Sequence, residues 1–165
     1  MVDITLGYTP GCIGRITALH ASYYARHAGF GLAFEARVAR ELAAFCERLE
    51  AERDGLWLVT LDGRIEGSIA IDGLHGHDDA GAHLRWFIVS DALRGRGAGR
   101  ALLQRAMDFV DERRYGRTVL DTFEGLDAAR HLYEAAGFVL VQQAAGAQWG
   151  REVNEQRFER KRGAE

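Results

Sequence analysis

Lysine is almost missing from this chain. Of its 21 basic Lys and Arg residues, Lys161 alone is lysine. Genomic base composition is the simplest source of that bias. Its chemical consequence is that positive charge comes as guanidinium, which stays protonated and forks onto phosphate oxygens, whereas lysine can become a free amine nucleophile. Cysteine is scarce too. Cys12 and Cys46 are too few for a disulfide framework or a thiolate metal site, and two small thiols packed at least partly in the core are expected. No apolar run approaches membrane-spanning length, and Met-Val-Asp-Ile-Thr lacks the basic and apolar regions of a signal peptide. A net charge of -3 gives no general reason to expect a nucleic acid or a membrane as partner. A cytoplasmic location is the expectation.

What is present suits one domain over residues 1–165, at 47% hydrophobic and 27% charged. Ile4 to Tyr8 reads as a strand stopped by Pro10-Gly11. Helical spacing follows from Gly11 to about His27, and again from Phe34 to Leu49, where Phe34, Val38, Leu42, Phe45 and Leu49 share a face. The charged residues between them, including Glu35, Arg37, Arg40 and Glu41, read as a solvated outer face. Leu56–Leu61 and Arg64–Ile71 flank Asp62-Gly63, a strong hairpin cue. Residues 72–82 read as a polar glycine loop; His75, His77, Asp78 and Asp79 there invite a metal reading, which we set aside. A strand is predicted over 83–90, then a helix to about Arg114, ended by Tyr115-Gly116 with the glycine as left-handed cap. Thr118–Thr122 is a short strand. Asp127 reads as the N-cap of a helix over Ala128–Ala136, closed by Gly137. Phe138–Gln142 and Gln156–Lys161 are the last predicted strands, with a small, polar segment over 143–155. The order β-α-α-β-β-β-α-β-α-β-β is an α+β pattern and excludes a doubly wound sheet.

The chemistry concentrates in His83-Leu-Arg-Trp-Phe-Ile-Val-Ser-Asp-Ala-Leu-Arg-Gly-Arg-Gly-Ala-Gly-Arg100, an apolar strand, a glycine-rich turn and a helix start. Without Cβ atoms, Gly95, Gly97 and Gly99 let backbone N–H groups close on a negative oxygen. The helix N-terminus and the charges of Arg94, Arg96 and Arg100 point the same way. A dinucleotide fingerprint fails because Arg100 stands where the third glycine belongs, and a P-loop fails for want of lysine.

Arg94-x-x-Gly97-x-Gly99 after a strand ending in Val89 is similar to the acetyl-CoA signature of the GCN5-related N-acetyltransferases. Ala129-Arg-His-Leu-Tyr133-Glu-Ala-Ala-Gly137-Phe138 resembles the second motif of that family, at matching separation. Glu124-Gly-Leu-Asp-Ala-Ala-Arg and Trp149-Gly150 also resemble acetyltransferase domains fused to MarR-type regulators, here without a preceding helix-turn-helix. The resemblance implies a mostly antiparallel sheet of about seven strands flanked by four helices, splayed between strands 83–90 and 118–122. Acetyl-CoA is the implied co-substrate. Its pantetheine arm would pair with backbone at Phe87, Ile88 and Val89, and its pyrophosphate would take N–H groups of Arg94, Gly95, Arg96, Gly97, Ala98 and Gly99, beside Arg100. Where the family often carries Asn, Leu126 stands here, so a lost contact would pass to Asp127 or Arg130.

Acetyl transfer to an amine needs the amine deprotonated, the thioester oxygen polarised and the leaving thiolate protonated. Tyr133 occupies the position of the usual general acid of the family. For the base, His83 has the right chemistry, with Glu124 and Glu66 as rivals and bulk water as a further route. Strand alternation predicts His83, Arg85, Phe87 and Val89 on one face. The acceptor pocket is expected among the first two helices, the 72–82 loop and the 143–155 segment. Tyr23, Tyr24, His27, Phe30, Phe34, Trp86, Phe123 and Trp149 are lining candidates, with Glu35 and Glu124 able to pair with a cationic amine. A small primary amine or amino-acid-like acceptor is the leading expectation, and a homodimer is the expected assembly. The alternatives are a protein or peptide acceptor, or a non-catalytic acyl-CoA sensor.

Overall fold

A computed structural model describes residues 2–163. In chain order the elements are β1 (Val2–Leu6), α1 (Cys12–Ala28), α2 (Leu32–Glu47), β2 (Gly55–Leu61), β3 (Arg64–Asp72), β4 (Ala82–Val89), α3 (Ala98–Glu112), β5 (Arg117–Phe123), α4 (Asp127–Ala135), β6 (Val139–Gly146) and β7 (Val153–Lys161), with one 3-10 turn at Asp91–Leu93. This is the element order read from the sequence. The seven strands form one sheet in the order β1-β2-β3-β4-β5-β7-β6. Only β4 and β5 run parallel; the other neighbours are antiparallel. Asp62 and Gly63 both take positive φ, 51° and 83°, the twist a two-residue hairpin between β2 and β3 requires.

Each face of the sheet carries its own core. On one, the α1–α2 pair buries Ile16, Phe34, Val38, Leu42 and Phe45 against Leu56, Leu58, Ala70 and Trp86. On the other, α3 and α4 cover Val59, Ile69, Ile71, Leu84, Leu120 and Phe158. Cutting a fully buried Leu42 or Leu102 to Ala would cost about 2–5 kcal/mol. Cys12 is buried and Cys46 half-buried, both as free thiols. Burial, with the Cys12 thiol beside it, pushes the Cys46 thiol up to about 11. It is therefore a packing group rather than a nucleophile.

Two departures from regular pairing open the sheet. The ladder between β4 and β5 contains only Ala82↔Thr118 and His83↔Val119, after which the strands diverge. On its other side, β4 carries a bulge: register slips between Ser68 and Ala70, so that Ile69 faces both Trp86 and Phe87. Trp86 sits at φ 48°, costly for a bulky side chain. The strain is held by Ser68 Oγ–H, which donates to the Trp86 carbonyl at 2.7 Å, and by the Arg85 guanidinium over the Trp86 ring at 4.2 Å.

The bulge corrects the predicted alternation. Phe87 and Val89 pack with Ala82 and Leu84 on the α3–α4 face, whereas Trp86 packs against Phe45 on the α1–α2 face. Arg85 reaches Glu41 of α2, so it does not share a face with Phe87 and Val89. One extra residue reverses the alternation of every side chain beyond it.

Smaller readings also change. The left-handed residue after α3 is Arg114 (φ 59°), with Tyr115 N–H on the Val110 carbonyl; Gly116 does not take positive φ. Asp127 is the first residue of α4 rather than its cap, which is Leu126. The 143–155 segment is mostly strand, because β6 runs on to Gly146 and β7 begins at Val153. The 73–81 loop is a packed prop: a Cβ on Gly76 would stand 2.3 Å from the Tyr115 ring, His77 lies edge-on to that ring, and His75 pairs with Asp78 at 2.9 Å. Among the described residues no cluster of three metal-ligating side chains forms. No helix among them is long and apolar enough to cross a membrane.

Candidate active site

The divergence of β4 and β5 produces a cleft of about 560 Å³ between Phe87–Val89 on one side and Phe123–Ala129 and Leu132 on the other, with Gly99 at one end. Three features fit it to an extended ligand with an anionic end. The edge of β4 beyond His83 has no strand partner toward β5. Gly95 and Gly97 turn the chain at φ 77° and 70°, conformations an L side chain would resist. Gly99 is needed for space, since a Cβ there would point into the cleft, 3.3 Å from Leu132 and 3.6 Å from the Phe87 ring.

The anion-binding turn is narrower than the sequence suggested. Arg94 N–H donates to the Asp91 carbonyl and Arg96 N–H to that of Leu93. Both are used inside the turn, so the N–H groups left for a phosphate are those of Gly95, Gly97, Ala98, Gly99 and Arg100 at the start of α3. Arg94 also ion-pairs with Asp91 at 2.8 Å from an exposed position. Arg130 lies apart from this cleft, in a small side pocket with Tyr133, Gln156 and Phe158, its guanidinium over the Phe158 ring and 3.4 Å from Glu134.

A second cavity of about 150 Å³ runs through the same gap to the α1–α2 face. Tyr24, Phe87 and Phe123 line both spaces, so the cleft and the cavity meet at these rings. Tyr133 reaches the cavity from α4. It is 7% exposed, packed on Phe138 and Phe158, and no group among the described residues hydrogen-bonds its hydroxyl. Burial raises its phenol, with Tyr24 adding to the effect, so it stays a protonated donor at neutral pH.

His83 lines the cavity at the foot of the gap, its Nε2 3.3 Å from Asp121 Oδ2. Burial pushes the Asp121 carboxyl up, but hydrogen bonds from His83 and from the Arg157 fork, at 2.9 and 3.2 Å, outweigh that and hold it well below the usual carboxylate range. Asp121 was invisible as a partner in the sequence, where it reads as one polar position of a β-branched strand.

The rival bases are elsewhere. Glu66 accepts from Arg15 at 2.9 Å and from the Ser90 hydroxyl, and lines neither space. Glu124 edges the cleft and accepts from Asn154 at 3.0 Å.

The acceptor-side wall differs most from expectation. The 72–82 loop takes no part, and neither does Glu35. Among the aromatic candidates, Tyr24, Phe34, Trp86, Phe123 and Trp149 do line the cavity; Phe30 backs it and Tyr23 and His27 border the cleft. Arg37 and Glu41 of α2, assigned to a solvated face, line it together with Arg85. A signal existed, because Phe34, Arg37, Val38 and Glu41 fall at i, i+3, i+4 and i+7 on one stripe. His20 was missed as well. It is buried, its Nδ1–H donates to the Ile16 carbonyl at 2.8 Å, and burial lowers its pKa to about 4, so a neutral ring lines the cavity.

Comparison with known proteins settles what this arrangement belongs to. A model of the acetyltransferase (GNAT) family matches residues 16–138, about three quarters of the chain. The chain belongs to the GNAT family. Acetyl-CoA is the co-substrate of that family, in keeping with the cleft and turn just described. N-acetylaspartate synthetase of Xenopus tropicalis is 33% identical over 82 residues, 50% of this chain and 30% of that protein. The uncharacterized N-acetyltransferase YjgM of Escherichia coli is 31% identical over 90 residues, 54% of each. This GNAT chain thus spans about a quarter to a half of the length of the curated relatives it matches. Among solved structures, yncA from Salmonella typhimurium, described as an acetyltransferase with its cofactor acetyl-CoA, superposes with a TM-score of 0.75 at 18% identity, covering 98% of this chain and 94% of that one. At that identity the likeness carries the fold.

Proposed function

We propose that this GNAT chain is an N-acetyltransferase that moves the acetyl group of acetyl-CoA directly to the primary amine of a small, amino-acid-like acceptor. One observation carries the reading: a small cavity of about 150 Å³, lined by a protonated phenol and an Asp-paired imidazole, opens onto the cleft of the acetyl-CoA signature. Drug-sized sites run about 300–1,000 Å³, so this one suits a small acceptor better than a folded protein surface. The name of the curated relatives, N-acetylaspartate synthetase, supports an amino-acid acceptor.

Acetyl-CoA supplies the thioester. Gly95, Gly97, Ala98, Gly99 and Arg100 would bind its pyrophosphate through backbone N–H groups, and the free edge of Phe87–Val89 would align its arm. His83 takes the proton of the acceptor ammonium, with Asp121 orienting the ring and stabilising the imidazolium. As the amine nitrogen bonds the acetyl carbon and the carbon–sulfur bond breaks, the Tyr133 hydroxyl gives its proton to sulfur, and the second proton of the nitrogen returns to the Tyr133 phenolate as the amide forms. Products are the amide and free CoA thiol, and His83 releases the one remaining proton to solvent.

Following CoA thiol release across a panel of small amines, amino acids and short peptides tests this. Turnover is expected on small acceptors. Saturable acetyl-CoA binding with no turnover on any of them would convert the reading to a sensor, and turnover on peptides alone would move the acceptor to proteins.

A further inference from the structure

The cavity wall opposite Tyr133 is built from charges that do not balance. Arg85 projects from β4 just before the bulge, and its guanidinium carbon lies over the Trp86 ring, 4.2 Å from its centroid. Arg37 comes from α2. Between them stands Glu41, accepting from Arg85 Nη2 at 2.5 Å and from Arg37 Nε at 3.3 Å. The other carboxylates in reach are already engaged. Asp121 holds the Arg157 fork and His83. Asp72 is forked by Arg48, at 3.1 and 2.5 Å, and stands 4.0 Å from Arg85 Nη1. Two guanidiniums therefore share one carboxylate, leaving one positive charge in a partly desolvated wall.

Donors are in surplus too. A guanidinium offers five N–H donors in a planar fork. Arg85 commits one to Glu41, and Arg37 commits Nε to Glu41 and Nη1 to the Gln148 carbonyl at 2.7 Å. Desolvation is the largest influence on Arg85, working against its charge. Both guanidiniums are half-buried, so a cation there with donors to spare gains from an anion that completes it.

Resting on the acetyltransferase reading above, we propose that the acceptor is an amino-carboxylate whose carboxylate is seated on Arg85 and Arg37, its amine lying toward His83 and Tyr133. The planar fork suits a planar carboxylate, and the contact with the Trp86 ring helps hold it in place. Cationic polyamines and amines without an acid are disfavoured, since they leave the same charge unpaired.

The test compares small L-amino acids, alanine, serine and aspartate, with their α-carboxamides, measuring both steady-state acetylation and calorimetric binding to the protein saturated with CoA. The free acids are expected to exceed the amides by about 100-fold in kcat/KM, because charge-assisted pairs are lost in the amides. Arg85→Gln and Arg37→Gln should raise KM for the acids about 10- to 100-fold and change the amides by less than about threefold, with KM for acetyl-CoA unmoved. Arg85 braces Trp86, so thermal melting accompanies each variant and Arg85→Lys keeps the charge without the fork. Exposed Arg40→Gln is the control. Equal use of acids and amides, or variants that damage both alike while melting normally, would overturn the proposal. Absence of turnover with every acceptor would instead refute the acetyltransferase reading. The calorimetric arm still decides this one, since acids binding no tighter than amides would overturn it there.

Discussion

The two ends of the gap between β4 and β5 are built from different materials. The cleft end is made of backbone: a turn at Gly95 and Gly97, free N–H groups at the start of α3, an unpaired strand edge and the bare Cα of Gly99. The cavity end is made of side chains from α1, α2, β4, β5, α4 and the turn between β6 and β7. A backbone site recognises what all its ligands share and tolerates sequence drift around it. A side-chain site recognises what differs between acceptors, and it changes with one substitution. Cofactor and acceptor should thus respond independently to mutation.

The largest effect should come from filling the backbone end. Gly99→Phe would place a ring in the cleft, and acetyl-CoA binding by calorimetry should weaken by more than about 1,000-fold, loss of the whole seat being worth over about 4 kcal/mol. Its melting temperature should change little, because the Leu132 side chain, 3.3 Å from the new Cβ, has to give by only a few tenths of an ångström and the helix position suits phenylalanine better than glycine.

At the cavity end, His20 makes stability depend on pH. Its folded pKa of about 4 lies below the ordinary 6.5, so the unfolded chain binds a proton over that window and the native chain does not. The His20 contribution should lower stability by about 3 kcal/mol in total as pH drops from 6.5 to 4, and below that the depressed Asp121 and Asp72 carboxyls take over the decline. Urea unfolding at several pH values reads this, and His20→Gln should flatten the dependence.

Asp121→Asn should then lower kcat/KM for the acceptor about tenfold by loosening His83, with acetyl-CoA affinity unchanged. Equal losses for both substrates would erase the contrast between the ends. The smallest effect concerns the bulge that joins them. Ser68→Ala removes the hydrogen bond to the Trp86 carbonyl and should cost about 1 kcal/mol, a melting shift of about 2–4 °C.

The same division explains what could be read from sequence. The strand edge and the anion-binding turn of the cleft end lie within Phe87–Arg100, where glycine spacing and strand-helix periodicity are local signals, so the turn and the element order were legible, while the splayed pair was implied only by the family resemblance. Even there Arg94 and Arg96 were over-read, because turn hydrogen bonds that consume their N–H groups leave no mark in composition. The cavity end converges from residues as distant as His20 and Trp149. Arg37 and Glu41 resembled a solvated face because charge on an amphipathic helix normally faces water. Asp121 and His83 meet only through the β4–β5 ladder. The Trp86 bulge, which turns Arg85 away from Phe87 and toward Glu41, breaks the alternation rule without a glycine to announce it. Tyr133 was legible because its motif is contiguous on α4.

Tyr133 is also where the two ends must cooperate. Single-turnover acetyl transfer from saturating acetyl-CoA to a small amino-acid acceptor, measured beside acetyl-CoA binding in the wild type and Tyr133→Phe, tests that most directly. We predict binding equal within about twofold and transfer slowed by about 100-fold or more, the loss of a general acid. Transfer at the wild-type rate in Tyr133→Phe, or none in a wild type that binds acetyl-CoA, would contradict it.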